Sequence, residues 1–288
     1  MNKIIKLIQP RANIGVVHLI WGPLGIKTFN AFLQSYSNNP VGLKHDLILV
    51  FNGFSSEKDT LEYKSLLKHL RYSSLFIKKP GLDIVSYYIA ANTFCYDYYC
   101  FLNSYSVIID KDWLTKLHHY ATRDHVGLVG ATASYESVYS DFVNNHRFSS
   151  AEAPLYRRII RDSYFNRIRH LYYYHPFPNY HIRTNAFMIK GQILKRIKHK
   201  TMRLRIDTSR FENGRISLTR QIFKMQLDVL VVGKDGKAYQ KEDWPKSNTF
   251  WQNNQENLLI TDNQTDKYSK ANNEKKMFLS RLAWGDAR

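Results

Sequence analysis

The chain has 288 residues, of which 44% are hydrophobic and 23% are charged, a composition that excludes bulk disorder, collagen and coiled coils. It carries 42 lysines and arginines against 24 acidic residues, a formal charge of +18. A chain of this length forms one large domain or two small ones, and it can bury a core without disulfides or a structural metal.

Strands and helices are predicted to alternate through the first half of the chain. Short apolar runs predict strands at 16–20, 46–51, 75–77 and 98–102, and apolar residues at helical spacing predict helices at 26–36, 57–70 and 83–94. This order is typical of βαβ units, so we predict an α/β fold with a mainly parallel, Rossmann-like central sheet flanked by helices. Ligands of such sheets lie beyond the carboxyl ends of the strands, where residues 21–22, 52–53, 80–83 and 103–106 are expected to meet.

The second half predicts further strands and helices and then a polar end. Helices are predicted at 113–120, 157–173, 192–197 and 216–223, and strands at 126–131, 185–189 and 227–232. After Asp243 the chain becomes rich in Asn, Gln and Lys, which favours an extended tail that wraps the domain. We therefore expect one domain over residues 1–240, with halves at about 14–115 and 116–240, followed by a C-terminal extension at 241–288.

Positive charge is concentrated between His146 and Lys224. This quarter of the chain holds eighteen lysines and arginines and four acidic residues, a net charge of +14. Such a block attracts the phosphates of nucleotide diphosphates, nucleic acids or anionic lipid headgroups. Solvated helix faces that keep the protein soluble are the alternative interpretation. The asymmetry favours a polyanionic partner without identifying it.

Cysteine content and hydropathy indicate the compartment. Cys95 and Cys100 cannot form a disulfide framework and lack metal-site spacing, so we expect two buried thiols in a reducing compartment. No stretch approaches the roughly 18 apolar residues of a membrane span. The N-terminus begins like a signal peptide, but Lys6 and Pro10 interrupt its apolar run. We therefore expect a soluble, cytoplasmic protein.

Residues 100–114 resemble family 2 glycosyltransferases of the GT-A fold. An apolar strand runs into Leu-Asn-Ser-Tyr-Ser at 102–106, and Trp-Leu follows at 113–114. Five other segments agree with this family in their order and spacing: 50–55, 80–83, 126–131, 183–189 and 211–218. Among them, the Pro-Gly-Leu-Asp turn at 80–83 resembles a turn of rhamnan-type transferases. The resemblance spans residues 14–240. It implies transfer of a sugar from a nucleotide-diphosphate donor to a glycan or lipid-linked acceptor, in the synthesis of a surface polysaccharide or glycoconjugate.

The resemblance also implies roles for particular residues. It makes Glu212 the candidate general base of an inverting transfer, and we expect this residue at a helix start, where it could instead cap the helix that follows. Asp83 could likewise be an N-terminal cap. The implied nucleotide-sugar contacts are Gly22, Asn52, Asp83, Asn103 and Ser104, and the implied phosphate and acceptor contacts are Arg183, Thr184, Asn185, Arg215 and Arg220.

The metal-binding Asp-x-Asp motif of the family is replaced here by Asn103 and Tyr105. Neither is a good ligand for Mg²⁺ or Mn²⁺, which prefer carboxylate oxygens. We therefore expect no metal, and an arginine on the departing diphosphate, since guanidinium groups suit bidentate phosphate contacts. A catalytically silent, transferase-like subunit is the alternative. Asn52 also replaces an acid that usually contacts the base, which leaves the nucleotide undetermined.

The sequence has features of binding to two kinds of macromolecular partner, nucleic acid and an anionic membrane. Arginines with aromatic residues are typical of single-strand binding, but no recognised nucleic-acid motif is present, so nucleic acid is the less favoured partner. The predicted helix 157–173 combines an apolar face, clustered arginines and a tyrosine-rich end. This pattern suits a helix lying on an anionic membrane, and packing on the domain's own core is the alternative. The sequence leaves both open, and an anionic membrane surface on the inner face is a candidate partner.

Overall fold

A central sheet runs through the part of the chain that the computed structural model describes, residues 13–144, 164–199 and 202–285. The strands are β1 (Ile14–Trp21), β2 (Asp46–Asn52), β3 (Tyr72–Phe76), β4 (Tyr98–Leu102), β5 (Val107–Ile108), β6 (Val126–Gly130), β7 (Ala133–Ser134), β8 (His181–Ile182), β9 (Ala186–Lys190), β10 (Asp228–Val232), β11 (Ala238–Tyr239) and β12 (Ile260–Thr261). β5 pairs with β12 and β7 with β8, and the others form one sheet in the order β11-β10-β6-β9-β4-β1-β2-β3.

Strand direction changes at β9. β3, β2, β1 and β4 are parallel to one another. β9 runs antiparallel between β4 and β6, and β10 is parallel to β6. The fold is therefore α/β with a mainly parallel sheet, which confirms the prediction. β1 and β2 are near-continuous apolar runs because both of their faces are buried.

Helices cover both faces of this sheet. They are α1 (Ile26–Asn38), α2 (Leu61–Ser65), α3 (Asp83–Thr93), α4 (Trp113–Ala121), α5 (Val138–Val143), α6 (Tyr164–Tyr173), α7 (Gly191–Leu194), α8 (Arg205–Asn213), α9 (Leu218–Lys224), α10 (Asn263–Ser269) and α11 (Asn273–Trp284). α1 and α4 pack on one face through side chains such as Phe32 and Leu117. α3, α9 and α11 pack on the other face through Tyr87, Ile222 and Leu282.

Several element boundaries differ from the prediction. The predicted helix 57–70 is a 3-10 turn over Glu57–Thr60 followed by the short α2, and β3 begins before residue 75. Of the predicted helix 157–173, residues 157–163 lie outside the described residues and α6 accounts for the rest. The sequence pattern did not indicate α8, because Phe211 is the buried residue of that helix and one apolar side chain makes no helical stripe.

The C-terminal segment is folded, so the expectation of an extended tail was wrong. Trp244, Phe250 and Trp251 are buried in the same core as the sheet residues. The Trp284 Nε1–H donates to the Phe250 carbonyl at 2.8 Å, and β12 pairs with β5 in the first half of the chain. Apolar residues are few in this segment but large, and the intervening Asn, Gln and Lys residues concealed them in the composition.

The cysteines and the length of the helices bear on two further expectations. Cys100 is buried within β4 as predicted, whereas Cys95 is exposed in the turn between α3 and β4. Within the described ranges, no helix has the length and apolar character needed to cross a membrane.

His18 is a buried titratable group on β1. Its ring stacks on that of Phe32 with the centroids 3.5 Å apart, and its Nδ1 has no hydrogen-bond partner among the residues described. Burial lowers the pKa of His18 to about 3. Between about pH 6.5 and pH 3 the imidazole is therefore neutral in the folded protein and protonated in the unfolded chain.

We predict that the free energy of unfolding falls as the pH is lowered from about 6.5 towards 3, because protons then favour the unfolded chain. Between pH 7.5 and 5 this one group should account for about 2 kcal/mol. Urea unfolding at a series of pH values measures the effect. The variant His18→Leu cannot titrate and should lose this part of the pH dependence. An identical pH dependence in both proteins would contradict the prediction.

Candidate active site

The carboxyl ends of β1, β2 and β4 are tied together. The Trp21 N–H donates to Ser104 Oγ at 3.1 Å, which joins the end of β1 to the loop after β4. Gly22 approaches Gly53 so closely that a Cβ on Gly22 would lie 2.9 Å from the Gly53 carbonyl oxygen. Gly53 itself has a φ of +77°, a conformation that favours glycine. Gly22 and Ser104, both expected at the nucleotide-sugar, therefore lie at one edge of the sheet.

Asn52 lies at the same edge but is fully buried. Its Nδ2 donates to the Gly81 carbonyl at 2.7 Å and to Ser86 Oγ at 2.9 Å, and its Oδ1 accepts from the Gly81 N–H at 3.2 Å. The amide is thus engaged by the turn at 80–83 and the start of α3. Any contribution of Asn52 to a donor site is made through the shape of that turn.

The loop after β4 is closed by its own asparagine. Asn103 Oδ1 accepts from the Tyr105 N–H at 3.0 Å and from Ser106 Oγ at 3.1 Å. The Asn103 N–H donates to the Asn185 carbonyl at 2.8 Å, and Asn185 Oδ1 accepts from Thr132 Oγ1 at 2.8 Å. Asn103 and Asn185 therefore join the loop after β4 to the segments that follow β6 and precede β9.

The residues at the Asp-x-Asp position do not fit a divalent cation. The Asn103 amide oxygen is turned into its own loop, and the Tyr105 side chain offers no carboxylate. In residues 13–144, 164–199 and 202–285, no three His, Cys, Asp or Glu side chains are grouped so that they could hold a metal ion. No step of the chemistry is therefore assigned to a metal.

A cleft of about 1080 Å³ opens between β8, α8 and the C-terminal helices. It is large enough for a sugar-bearing ligand. Charged side chains of both signs line it together with aromatic rings: Glu136, His181, Arg183, Arg205, Glu212, Phe250, Trp251, Lys267, Glu274, Lys275 and Phe278. Of the site residues predicted from the sequence, Glu212 and Arg183 line this cleft, and Thr184 lies beside it, in contact with Glu212.

Glu212 is held in this cleft by one of its two carboxylate oxygens. Its Oε1 accepts from the Thr184 N–H at 2.9 Å and from Thr184 Oγ1 at 3.2 Å. Among the described residues no cationic side chain forms an ion pair with Glu212. Its orientation is therefore fixed while Oε2 stays available to a ligand in the cleft.

Glu212 lies in the last turn of α8, not at a helix start. The N-terminal cap of α9 is Ser217, whose Oγ accepts from the Arg220 N–H at 3.4 Å. The alternative role of Glu212 as a helix cap was therefore wrong. At a helix C-terminus the macrodipole opposes a carboxylate, so this position does not favour the helix.

Asp83 is the first residue of α3 and lies near Glu212. The cap position belongs to Leu82 and has no side-chain hydrogen bond, so the capping alternative for Asp83 was also wrong. Asp83 is an exposed residue by its accessible surface, and its carboxyl group is only partly desolvated by the protein around it. Burial and, second, the charge of Glu212 raise the pKa of Asp83, whereas its own N–H and Arg205 oppose the rise. The charges of Glu212 and Arg205 on α8 therefore act on the Asp83 carboxyl group at the start of α3.

His181 is a buried neighbour of Glu212. Its Nδ1 contacts the Asn179 carbonyl oxygen at 2.8 Å, which assigns the ring proton to Nδ1 and leaves Nε2 as an acceptor. Burial lowers the pKa of His181, and the charge of Glu212 opposes this. The ring therefore lines the cleft in its neutral form at neutral pH.

The arginines expected at the diphosphate separate into two places. Arg183 lines the cleft, where its Nη2 donates to an oxygen of Asp262 at 2.8 Å and its guanidinium lies 4.2 Å from the Phe250 ring centroid. Its Nη1 is buried and has no hydrogen-bond partner in the described part of the chain. Arg215 and Arg220 do not line the cleft.

Arg215 and Arg220 instead bind the chain around α6. Arg215 Nε donates to the Leu171 carbonyl at 2.6 Å, and Arg220 Nη2 donates to Asn179 Oδ1 at 3.1 Å. Both side chains therefore hydrogen-bond to residues that do not line the cleft.

Sequence reasoning missed His181, Arg205 and every contribution of α10 and α11 to the cleft. Arg205 belonged to the basic block, so its charge was visible but its location was not. His181 follows a turn rather than a strong strand signal, and residues such as Lys267 and Lys275 had been assigned to a tail. No local pattern connects these positions, since they meet only through the fold.

Comparison with known proteins gives matches by structure alone. The sequence matches no protein-family model and no curated protein. Among solved structures, the chain is similar to the mannosyltransferase PcManGT from Pyrobaculum calidifontis in complex with GDP-Man and Mn²⁺, with 11% identity over 78% of this chain and 55% of that chain and a TM-score of 0.48.

Two other solved structures are similar over different extents. S. aureus TarS (residues 1–349) has 13% identity over 41% of this chain and 35% of that chain, with a TM-score of 0.34. The WbbM bifunctional glycosyltransferase has 12% identity over 98% of this chain and 45% of that chain, with a TM-score of 0.43. The chain spans about half the length of PcManGT and WbbM and about a third of the TarS fragment.

We predict that Asn52→Asp destabilises the protein by at least about 2 kcal/mol although the two side chains have the same size. A carboxylate cannot donate to the Gly81 carbonyl and would place charge in a fully buried position. Urea unfolding at pH 7.5 measures the change. The exposed Asn92→Asp is the matched control and should cost no more than about 0.5 kcal/mol. Equal stability of the two variants would show that the Asn52 amide does not hold the turn.

Proposed function

We propose that the protein is a glycosyltransferase that moves a hexosyl or deoxyhexosyl group from a nucleotide-diphosphate donor to a glycan or lipid-linked acceptor. We further propose that it acts with inversion and without a metal, on the cytoplasmic side of a membrane, in surface polysaccharide or glycoconjugate synthesis. The observation that carries the proposal is Glu212, a carboxylate oriented by Thr184 through one oxygen with the other available in a polar cleft.

Glu212 has the features that a general base requires. In an inverting transfer the acceptor hydroxyl oxygen attacks the sugar C1 while the diphosphate leaves from the opposite side. The base accepts the hydroxyl proton through Oε2, and the bond from C1 to the diphosphate oxygen breaks. Because Oε1 is already fixed by two donors, little orientational freedom is lost when the acceptor binds. Such a base contributes roughly 10²–10⁴-fold to the rate.

Arg205 is the residue we assign to the negative charge on the departing diphosphate. It lines the same cleft as Glu212, and its charge reaches Asp83 at the start of α3. The parallel strands β1, β2 and β4 end beside this point, at the edge where open α/β sheets bind their ligands. A guanidinium here stabilises developing phosphate charge without a metal ion. Arg183 is the second guanidinium that lines the cleft.

The variant Glu212→Gln should lower kcat by about 10²–10⁴-fold and leave donor affinity within about twofold, because the amide keeps the Thr184 contacts but cannot take a proton. Steady-state transfer and isothermal titration with the donor measure the two quantities. The exposed Glu62→Gln is the control for removal of one carboxylate. A Glu212→Gln enzyme with unchanged kcat would eliminate Glu212 as the base.

A thermal-shift panel of UDP, GDP, TDP and CMP, each with Mn²⁺ and with EDTA, tests the donor and the metal. We expect one nucleotide to raise Tm by a few degrees at about 100 times its Kd, which corresponds to roughly 2.7 kcal/mol, and to do so equally in EDTA. A shift that requires Mn²⁺ would refute metal independence. Nucleotide binding without any sugar transfer or donor hydrolysis would identify a catalytically silent subunit instead.

A further inference from the structure

The exposed apolar side chains of the protein are concentrated beside its basic block. In the described part of residues 164–224 there are thirteen lysines and arginines and two acidic residues. The same region holds large apolar side chains that are between 42% and 72% exposed: Ile168, Tyr172, Leu204, Ile206 and Ile216. We call these five residues, together with the exposed cations Arg169, Lys198 and Arg203, the basic–apolar face.

These residues come from α6, the segment between α7 and α8, α8 itself and the loop after α8, and contacts hold these parts together. The Arg215 N–H donates to the Tyr173 carbonyl at 2.8 Å, and the Arg210 guanidinium lies 3.5 Å from the Tyr173 ring centroid. Tyr172 and Ile216 line one small pocket with Lys198. Asp207 lines the same pocket and accepts from the N–H groups of Arg203 and Leu204 at 3.0 Å, so these two residues adjoin the pocket, and Ile206 precedes Asp207 in the chain. The exposed side chains therefore surround one pocket.

The face has the arrangement of an interfacial membrane-binding surface. On α6, Ile168 and Tyr172 are four residues apart and point outward, whereas His170 and Tyr174 point inward, where His170 stacks on Phe142. Arg169 is exposed as well and lies beside these two side chains on the helix surface. Aliphatic and aromatic side chains that enter the headgroup region, ringed by cations that meet anionic lipid, are the features of peripheral helices that lie on membranes.

We propose that this basic–apolar face binds the surface of an anionic lipid bilayer. The kind of apolar side chain favours a bilayer over nucleic acid. Four of the five apolar residues of the face are aliphatic: Ile168, Leu204, Ile206 and Ile216. Single-stranded nucleic acid is bound by aromatic stacking platforms, which aliphatic side chains cannot form, whereas acyl chains and glycerol backbones accept them.

The basic–apolar face and the cleft lie on opposite sides of α8. Asp207, Arg210 and Phe211 of α8 line the pocket on the basic–apolar face, whereas Arg205, Glu212 and Asn213 of the same helix line the cleft. The two surfaces are thus separated by the width of one helix, about 10 Å. A bilayer bound to this face brings the cleft within reach of an acceptor anchored in that bilayer.

Cosedimentation with vesicles of phosphatidylcholine alone and of phosphatidylcholine with an equal amount of phosphatidylglycerol tests the proposal. We expect binding to the anionic vesicles only. The triple variant Ile168→Ser, Tyr172→Ser, Ile216→Ser should bind at least about tenfold more weakly. The control triple variant Leu61→Ser, Leu66→Ser, Met277→Ser removes similarly exposed apolar side chains elsewhere and should bind like the unmodified protein.

Charge is tested in the same way. Arg169→Gln, Lys198→Gln, Arg203→Gln together should weaken binding at least about tenfold, since each cation near an anionic surface contributes about fivefold. Lys27→Gln, Lys68→Gln, Lys111→Gln remove the same charge from other exposed positions and should have a much smaller effect. Circular dichroism and thermal unfolding of every variant show whether it is folded.

Three results would overturn the proposal. The first is no binding to anionic vesicles, and the second is binding that both apolar triple variants retain in full. The third is tighter binding to a single-stranded oligonucleotide than to vesicles, with loss of that binding in the Ile168, Tyr172, Ile216 variant. The vesicles contain no nucleotide-sugar, so failure here is distinct from failure of the proposed transferase activity, which the donor panel reports.

Discussion

The hydrogen bonds made by three consecutive residues, Arg183, Thr184 and Asn185, are the constraint on which the site depends. Arg183 binds the C-terminal segment, Thr184 binds Glu212, and Asn185 binds the loop after β4 and the segment after β6. They immediately precede β9, the antiparallel strand inserted between β4 and β6. Because β9 is fixed on both sides by the sheet, these residues have little freedom to move. They set the cleft, the carboxylate and the strand-end loops in one geometry.

The arrangement of the sheet could be predicted from the sequence because its signal is local. The apolar runs of β1, β2 and β4 are short, nearly continuous and separated by amphipathic helices, and this alternation defines an α/β fold. Gly22 and Ser104 were placed correctly at the strand ends, since parallel strands bring their carboxyl ends to one edge. Glu212 was proposed through resemblance, and the sequence alone did not show that it lies at the end of a helix. What each of these residues binds stays a prediction.

The rest could not be predicted because it depends on contacts between distant segments. α8 has one buried side chain, so it exists through its contacts with α6 and β8 and not through an apolar stripe of its own. Trp244, Phe250 and Trp284 are separated by long polar stretches, and composition averages hide such isolated large residues. Asn52 shows the same limit for polar groups: its three hydrogen bonds go to a turn and to the helix that follows it, some thirty residues away. No spacing rule distinguishes a buried structural amide from one that faces a ligand.

The contact between Thr184 and Glu212 has a consequence for how the protein tolerates mutation. Of the two donors to Oε1, the shorter is the main-chain N–H of residue 184, and every amino acid except proline carries that group. Replacement of the threonine removes the hydroxyl but keeps the backbone donor. The carboxylate can therefore hold its direction while position 184 drifts over evolutionary time, and the geometry around Glu212 is inherited with the backbone trace more than with the identity of its neighbour.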